Sequence, residues 1–218
     1  MDPLDRARDW LTPMGLDGLC DLDINPGWLV FPVLLFTTGT MLIFLLLSKS
    51  FDNRRLWNLR EARRGLRRVL LLFLPFALVM AALAYVLAFH TEVMSSDQFF
   101  GMPRRSPKFM LIILIAYPVF SAFPQEITHR AFFFHRYEPI LPGRWTVILL
   151  NAFAFMWLHV LFWNWIALAL TLGGGLLMAY TYERSRSTLL AGVEHALYGN
   201  WAFATGLGWF VYTGSVGA

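Results

Sequence analysis

The sequence predicts an all-α fold: a polytopic membrane helical bundle of about six transmembrane helices, with one more element if the third span breaks at Pro124. Three observations predict it. Of the 218 residues, 57% are hydrophobic and only 15% charged, against roughly 25% charged in a soluble domain. The apolar residues fall into runs of about 20, the length that crosses a bilayer core. The Lys and Arg residues collect in the short segments between those runs, where orientation signals belong. No alternating ten-residue pattern points to a transmembrane barrel.

Residues 1–28 read as an extracytoplasmic N-terminal segment, and residues 29–218 as a single transmembrane helical domain. The first 27 residues hold six Asp and two Arg. They lack the basic start and small-residue cleavage site of a signal peptide, so the first span is expected to be retained. A short amphipathic helix over 4–16 is conceivable there, limited by Pro13. Span one is expected at 29–48. The loop 49–68 carries eight Lys/Arg against two acids, which holds it on the cytoplasmic side. Span two follows at 69–89.

The connection 90–107 then lies outside. A third helical run from Lys108 to Tyr137 would measure about 45 Å at 1.5 Å per residue, too long for one straight crossing. Pro118 and Pro124 therefore predict a kink or break. A turn at 138–144 leads to span four at 145–162, and Trp163 and Trp165 mark the outer interface. Span five is expected at 166–182, where Gly173, Gly174 and Gly175 permit close helix approach. A basic loop at 183–187 precedes span six at 188–212. Both termini then lie on the extracytoplasmic side of an integral multi-pass protein, in the cytoplasmic membrane if the source is prokaryotic.

The basic loops account for the net charge of +4, so no nucleic-acid partner is expected; membrane lipids and a membrane-anchored partner are. The single cysteine, Cys20, forms no internal disulfide and no thiolate metal cluster. Neither a P-loop nor a dinucleotide fingerprint is present, and no internal repeat supports a transporter.

Ionisable groups at membrane depth are costly and mark functional sites. Span three carries Gln125, Glu126, His129 and Arg130, span four His159, and span six Glu194, His195 and Asn200. Measured from the inner loops, Glu126 lies about 16 Å, His159 about 21 Å and His195 about 12 Å deep, so all three are expected in one cavity. Glu126 and Arg130 are i, i+4 neighbours able to pair, and His129 is close enough to join them.

These residues resemble the CPBP family of intramembrane proteases, which includes the CAAX prenyl endopeptidases and the bacterial Abi proteins. Its motifs EExxxR, FxxxH and a histidine followed by Asn one turn on read here as Gln125-Glu126-Ile127-Thr128-His129-Arg130, Phe155 to His159, and His195 to Asn200. They span a core of about 108–212. The resemblance implies a glutamic-type intramembrane endopeptidase, without a cofactor. It cleaves a membrane-anchored peptide near its C-terminus, a lipidated end or a sorting helix. By this resemblance Glu126 and His159 activate water, while His195 and Asn200 stabilise the oxyanion. Gln125, Arg130, His129 and Glu194 support them, and no metal is bound.

Two departures stand out. Gln125 occupies the position where the family has its base, and glutamine accepts no proton at neutral pH. Asn200 follows His195 by five residues instead of four, so a π-bulge near Gly199 is predicted to bring the two together. Two alternatives follow: a zinc protease using His159, His195 and a carboxylate, and a non-catalytic scaffold or immunity protein that keeps the fold.

Overall fold

A computed structural model describes residues 27–162 and 164–211. The acidic N-terminal segment, Cys20 and the proposed short helix over 4–16 lie outside the described residues, apart from the backbone of residues 27 and 28. The chain is helical, with no strand among the described residues. Its helices are α1 (Gly27–Leu47), α2 (Leu59–Phe89), α3 (Gly101–Arg105), α4 (Pro107–Tyr117), α5 (Phe123–Glu126), α6 (Phe133–Tyr137), α7 (Gly143–Leu158), α8 (Trp165–Ser185) and α9 (Thr188–Thr205). Five segments are long and apolar enough to cross a membrane: Leu29–Leu47, Asn53–Phe89, Pro107–Ile140, Gly143–Phe162 and Trp165–Ser185. The sixth crossing foreseen from sequence is α9, 18 residues long. Its Glu194, His195 and Asn200 leave it less apolar than the others. It is inserted among the other helices, touching α2, α4, α5 and α8.

Two expectations are corrected. Residues 59–68, foreseen as loop, form the first turns of α2. Asn58 caps them, its Oδ1 accepting from the Glu61 N–H at 3.3 Å, and Arg, Leu, Glu and Ala are good helix formers. The basic residues thus ride on the first turns of a helix. The third span does not break at its prolines. It runs helically from Pro107 to Tyr137 through two π-helical turns, Pro118–Ala122 and Ile127–Phe132. Proline gives no N–H and its ring clashes with the carbonyl four residues back. The first of these turns closes with an i→i−5 bond from the Phe123 N–H to the Pro118 carbonyl. Such π turns concentrate at functional sites.

The glycines do what their spacing foretold, at particular contacts. A Cβ on Gly175 would sit 3.3 Å from the Ala152 Cα and carbonyl oxygen, so this glycine sets the close contact of α7 with α8. At the basic end, Arg186 adopts a left-handed φ of 49°, a strained conformation for a side-chain-bearing residue. Two hydrogen bonds of 2.5 Å to the Glu138 carboxylate hold it there, and so does a 3.1 Å bond from its Nε to the Glu183 carbonyl. This clamp ties the α6–α7 connection to the α8–α9 turn. The carboxylate raises the Arg186 pKa above its usual value.

Candidate active site

The second π turn puts consecutive polar residues of the third span into the bundle interior. Glu126 and Arg130 are both fully buried, with Arg130 Nε 3.2 Å from Glu126 Oε2. The guanidinium also donates through Nη2 to the Gly175 carbonyl at 3.3 Å and lies 4.8 Å above the Phe155 ring. This is the ion pair that the i, i+4 spacing predicts. Its surroundings come from α7 and α8, which no local spacing reveals.

The other carboxylate oxygen defines the centre. Glu126 Oε1 accepts from His195 Nδ1 at 2.8 Å, across 69 residues of sequence. His159 uses its Nδ1 to donate to the Phe155 carbonyl at 2.8 Å. His129 donates likewise to the Gln125 carbonyl at 2.9 Å. Carbonyls and carboxylates accept, so in all three rings the proton is assigned to Nδ1. The Nε2 atoms make no hydrogen bond to any described residue. All three rings pack around Phe155, with centroids 5.1, 4.8 and 5.5 Å from it for His129, His159 and His195.

The three imidazoles line one cavity of about 500 Å³, together with Gln125, Tyr117 and Tyr198. Glu126 does not line it; it stands behind His195. The expected convergence is therefore met by His159 and His195 directly and by Glu126 only through His195. His159 does not touch Glu126. Gln125 donates to Ser121 Oγ at 2.9 Å, and its second amide N–H is free for a ligand. Glu194 is buried away from the cavity and accepts from the Tyr198 hydroxyl at 3.0 Å. Among the described residues, no group of three His, Cys, Asp or Glu side chains is arranged to hold a metal ion.

Asn200 is corrected outright. Helix α9 is regular throughout, and the π-bulge foreseen near Gly199 is absent. Asn200 donates instead to the Leu114 carbonyl at 3.4 Å and does not line the cavity. Packing explains why. One turn after His195, the position facing the cavity belongs to Gly199, and a Cβ there would lie 2.2 Å from the Tyr117 ring and 2.3 Å from its hydroxyl oxygen. Tyr117 occupies the space that a side chain at 199 would need. Its ring also stands edge-on to His195, centroids 5.9 Å apart, and its hydroxyl has no partner among the described residues.

Tyr117 and Asn151 were not foreseen. Asn151 donates its amide to the His129 carbonyl at 2.5 Å, filling a backbone group within the π turn. A lone, fully buried Asn in an apolar span was the available signal. For Tyr117 the signal was Gly199, a helix-interior glycine that only a bulky neighbour explains. Gly199→Ala is expected to destabilise by about 1–3 kcal/mol, the usual cost of overpacking. In the Tyr117→Ala background the same change is expected to cost clearly less, as a double-mutant cycle of thermal unfolding in detergent would reveal.

Residues 107–201 match the family described as Rce1-like, type II CAAX prenyl endopeptidase. No curated protein and no solved structure matches the chain at a significant level. The match begins where α4 begins and ends within α9, so it takes in the third span and the helices carrying His159 and His195. Over residues 107–201, the segment that carries Glu126, His159 and His195, the chain is similar to the Rce1-like type II CAAX prenyl endopeptidases.

Proposed function

We propose that this integral membrane protein hydrolyses a peptide bond of a membrane-anchored substrate near its C-terminus, with imidazole rather than carboxylate as the immediate base. The observation that carries this reading is the 2.8 Å bond between Glu126 Oε1 and His195 Nδ1, with His195 on the cavity wall. A carboxylate behind an imidazole fixes its tautomer and stabilises the imidazolium that forms during proton transfer. That leaves His195 Nε2 to take a proton from water. His159 Nε2 positions the same water, its ring held by the Phe155 carbonyl.

The hydroxide adds to the scissile carbonyl carbon, and the oxygen becomes an oxyanion. The Tyr117 hydroxyl and the free Gln125 amide N–H are the donors for it; pre-set donors in a dry cavity are worth most at this step. Gln125 thus has a use that glutamate would not, as a donor. The imidazolium then returns its proton to the amide nitrogen, the C–N bond breaks, and an acid and an amine leave. One water is consumed and no cofactor is required.

A second reading is favoured by one observation: Gln125 stands where the family carries its base. On that reading the chain is a non-catalytic membrane scaffold or immunity protein. Purified protein, assayed on a membrane-anchored peptide with and without chelator, separates the two. Chelator-resistant cleavage by the wild type that is lost in His195→Ala and His159→Ala supports the proposal. Cleavage gained only in Gln125→Glu supports the scaffold. Chelator-sensitive cleavage restored by zinc would overturn the metal-free mechanism.

A further inference from the structure

The cavity has a direction. Its buried end carries the imidazoles: His129 and His195 are 7% and 6% exposed, beside Phe155 at 2%. Its open end is apolar: Leu29, Val33, Leu158 and Leu161 are 54%, 59%, 52% and 55% exposed. Those four residues lie in the first half of α1 and at the end of the fourth span. On every helix the lining stops short of one end of the bundle. None of it comes from residues 48–58, 138–144 or 184–188, the connections at the end where the basic residues gather.

The charges sort the two ends sharply. Eight Lys/Arg lie between 49 and 68, with Arg136, Arg144, Arg184 and Arg186 at the same end of the bundle. The opposite end holds Arg104, Arg105 and Lys108, beside Glu92 and Asp97. An excess of Lys and Arg in short connections keeps that end cytoplasmic. The cavity mouth therefore faces the other leaflet.

We infer that the substrate reaches the imidazoles from the extracytoplasmic side, as the uncharged extracytoplasmic end of a membrane-anchored helix. This deepens the proposed hydrolysis and rests on it. Of the two substrate classes expected from sequence, it selects the sorting helix over a lipidated C-terminus in the cytoplasm. The chemistry of the wall fits this occupant. Among the described residues, no Asp, Glu, Lys or Arg lines the cavity, so a charged residue in the entering segment would lose its water without gaining a partner there. The apolar walls of Val33, Leu158 and Leu161 continue the lipid-facing surfaces of α1 and α7, so an apolar segment passes from lipid to cavity at little cost. A volume of about 500 Å³ admits a short stretch of peptide beside the three rings.

Two measurements test this. In the full-length protein with Cys20→Ser, Leu161→Cys at the mouth and Ser50→Cys in the basic loop are exposed to a membrane-impermeant maleimide. Leu161→Cys is expected to label in right-side-out vesicles and to be protected in inside-out ones, with Ser50→Cys giving the reverse. Labelling of both from the same side, or of Leu161→Cys from neither, overturns the inference. The second measurement offers two substrates with the same membrane helix and scissile segment, placed beyond its extracytoplasmic or its cytoplasmic end. Cleavage of the first alone is expected, and its loss when a lysine enters the segment. Cleavage of the cytoplasmic one alone overturns the inference. The two failures are distinct: if labelling follows expectation and neither substrate is cut, hydrolysis falls while the side of access stands.

Discussion

Arg130→Ala is expected to be the most destabilising single truncation in the membrane domain, costing about 3–5 kcal/mol, the penalty for leaving one charge of a buried pair alone. Both members of the pair are fully buried. The guanidinium also caps the Gly175 carbonyl and covers Phe155, so its removal opens the contact of α7 with α8. Arg130→Lys is expected to rescue poorly, because an ammonium cannot reach the carboxylate and the carbonyl through a rigid fork. Removing both charges in Glu126→Gln/Arg130→Met is expected to restore much of the loss, since replacing a whole buried pair is often neutral. Unfolding in detergent micelles measures all three. Wild-type stability in Arg130→Ala would show that the pair does not hold the bundle.

The same double variant gives the largest expected effect on activity. Once the fold is restored, His195 faces an amide where it had a carboxylate. An amide can present either its oxygen or its N–H to Nδ1, so the tautomer with a free Nε2 is no longer enforced. Comparable losses of a carboxylate behind a catalytic imidazole lower kcat by about 10⁴. A fall of that order in kcat, with KM little changed, is expected for Glu126→Gln/Arg130→Met. The Nε2 atom meets water in the transition state, while the substrate-binding walls are untouched. A rate within tenfold of wild type would remove Glu126 from the mechanism and leave it a purely structural residue.

Much of the fold could be read from the chain because each span satisfies its own backbone in lipid. Where the reading failed, it failed at two kinds of place. The start of α2 was missed because charge density outweighed helix propensity over 59–68; a basic stretch can be helical and solvated at once. The third span was expected to kink or break because proline is costly in a straight α-helix. The helix instead continues through π turns at Pro118–Ala122 and Ile127–Phe132, which keep the backbone bonded, as lipid demands more strictly than water does.

The site divides in the same way. The Glu126–Arg130 pair follows from an i, i+4 spacing, and the depth of His159 and His195 follows from counting residues inward from basic loops. Which histidine meets Glu126 does not follow, nor does the exclusion of Glu126 from the cavity wall. Asn200 shows the limit most clearly. Resemblance placed an asparagine after the histidine, and a bulge was needed to bring it in; Gly199 and Tyr117 settled the matter by occupying the space.

The sequence by itself determined a polytopic helical bundle, its basic end and the polar residues at depth. These are properties of length, charge and local spacing, each readable within a few turns of one helix. Only the tertiary structure decided that Glu126 accepts from His195, that three imidazoles share Phe155, that Tyr117 fills the space beside Gly199, and that the cavity lining stops short of the basic loops. Those depend on how far apart two helices lie and how each is rotated. That is set by close approaches such as Gly175 on Ala152 and Gly199 on Tyr117, which join residues many turns apart in the chain.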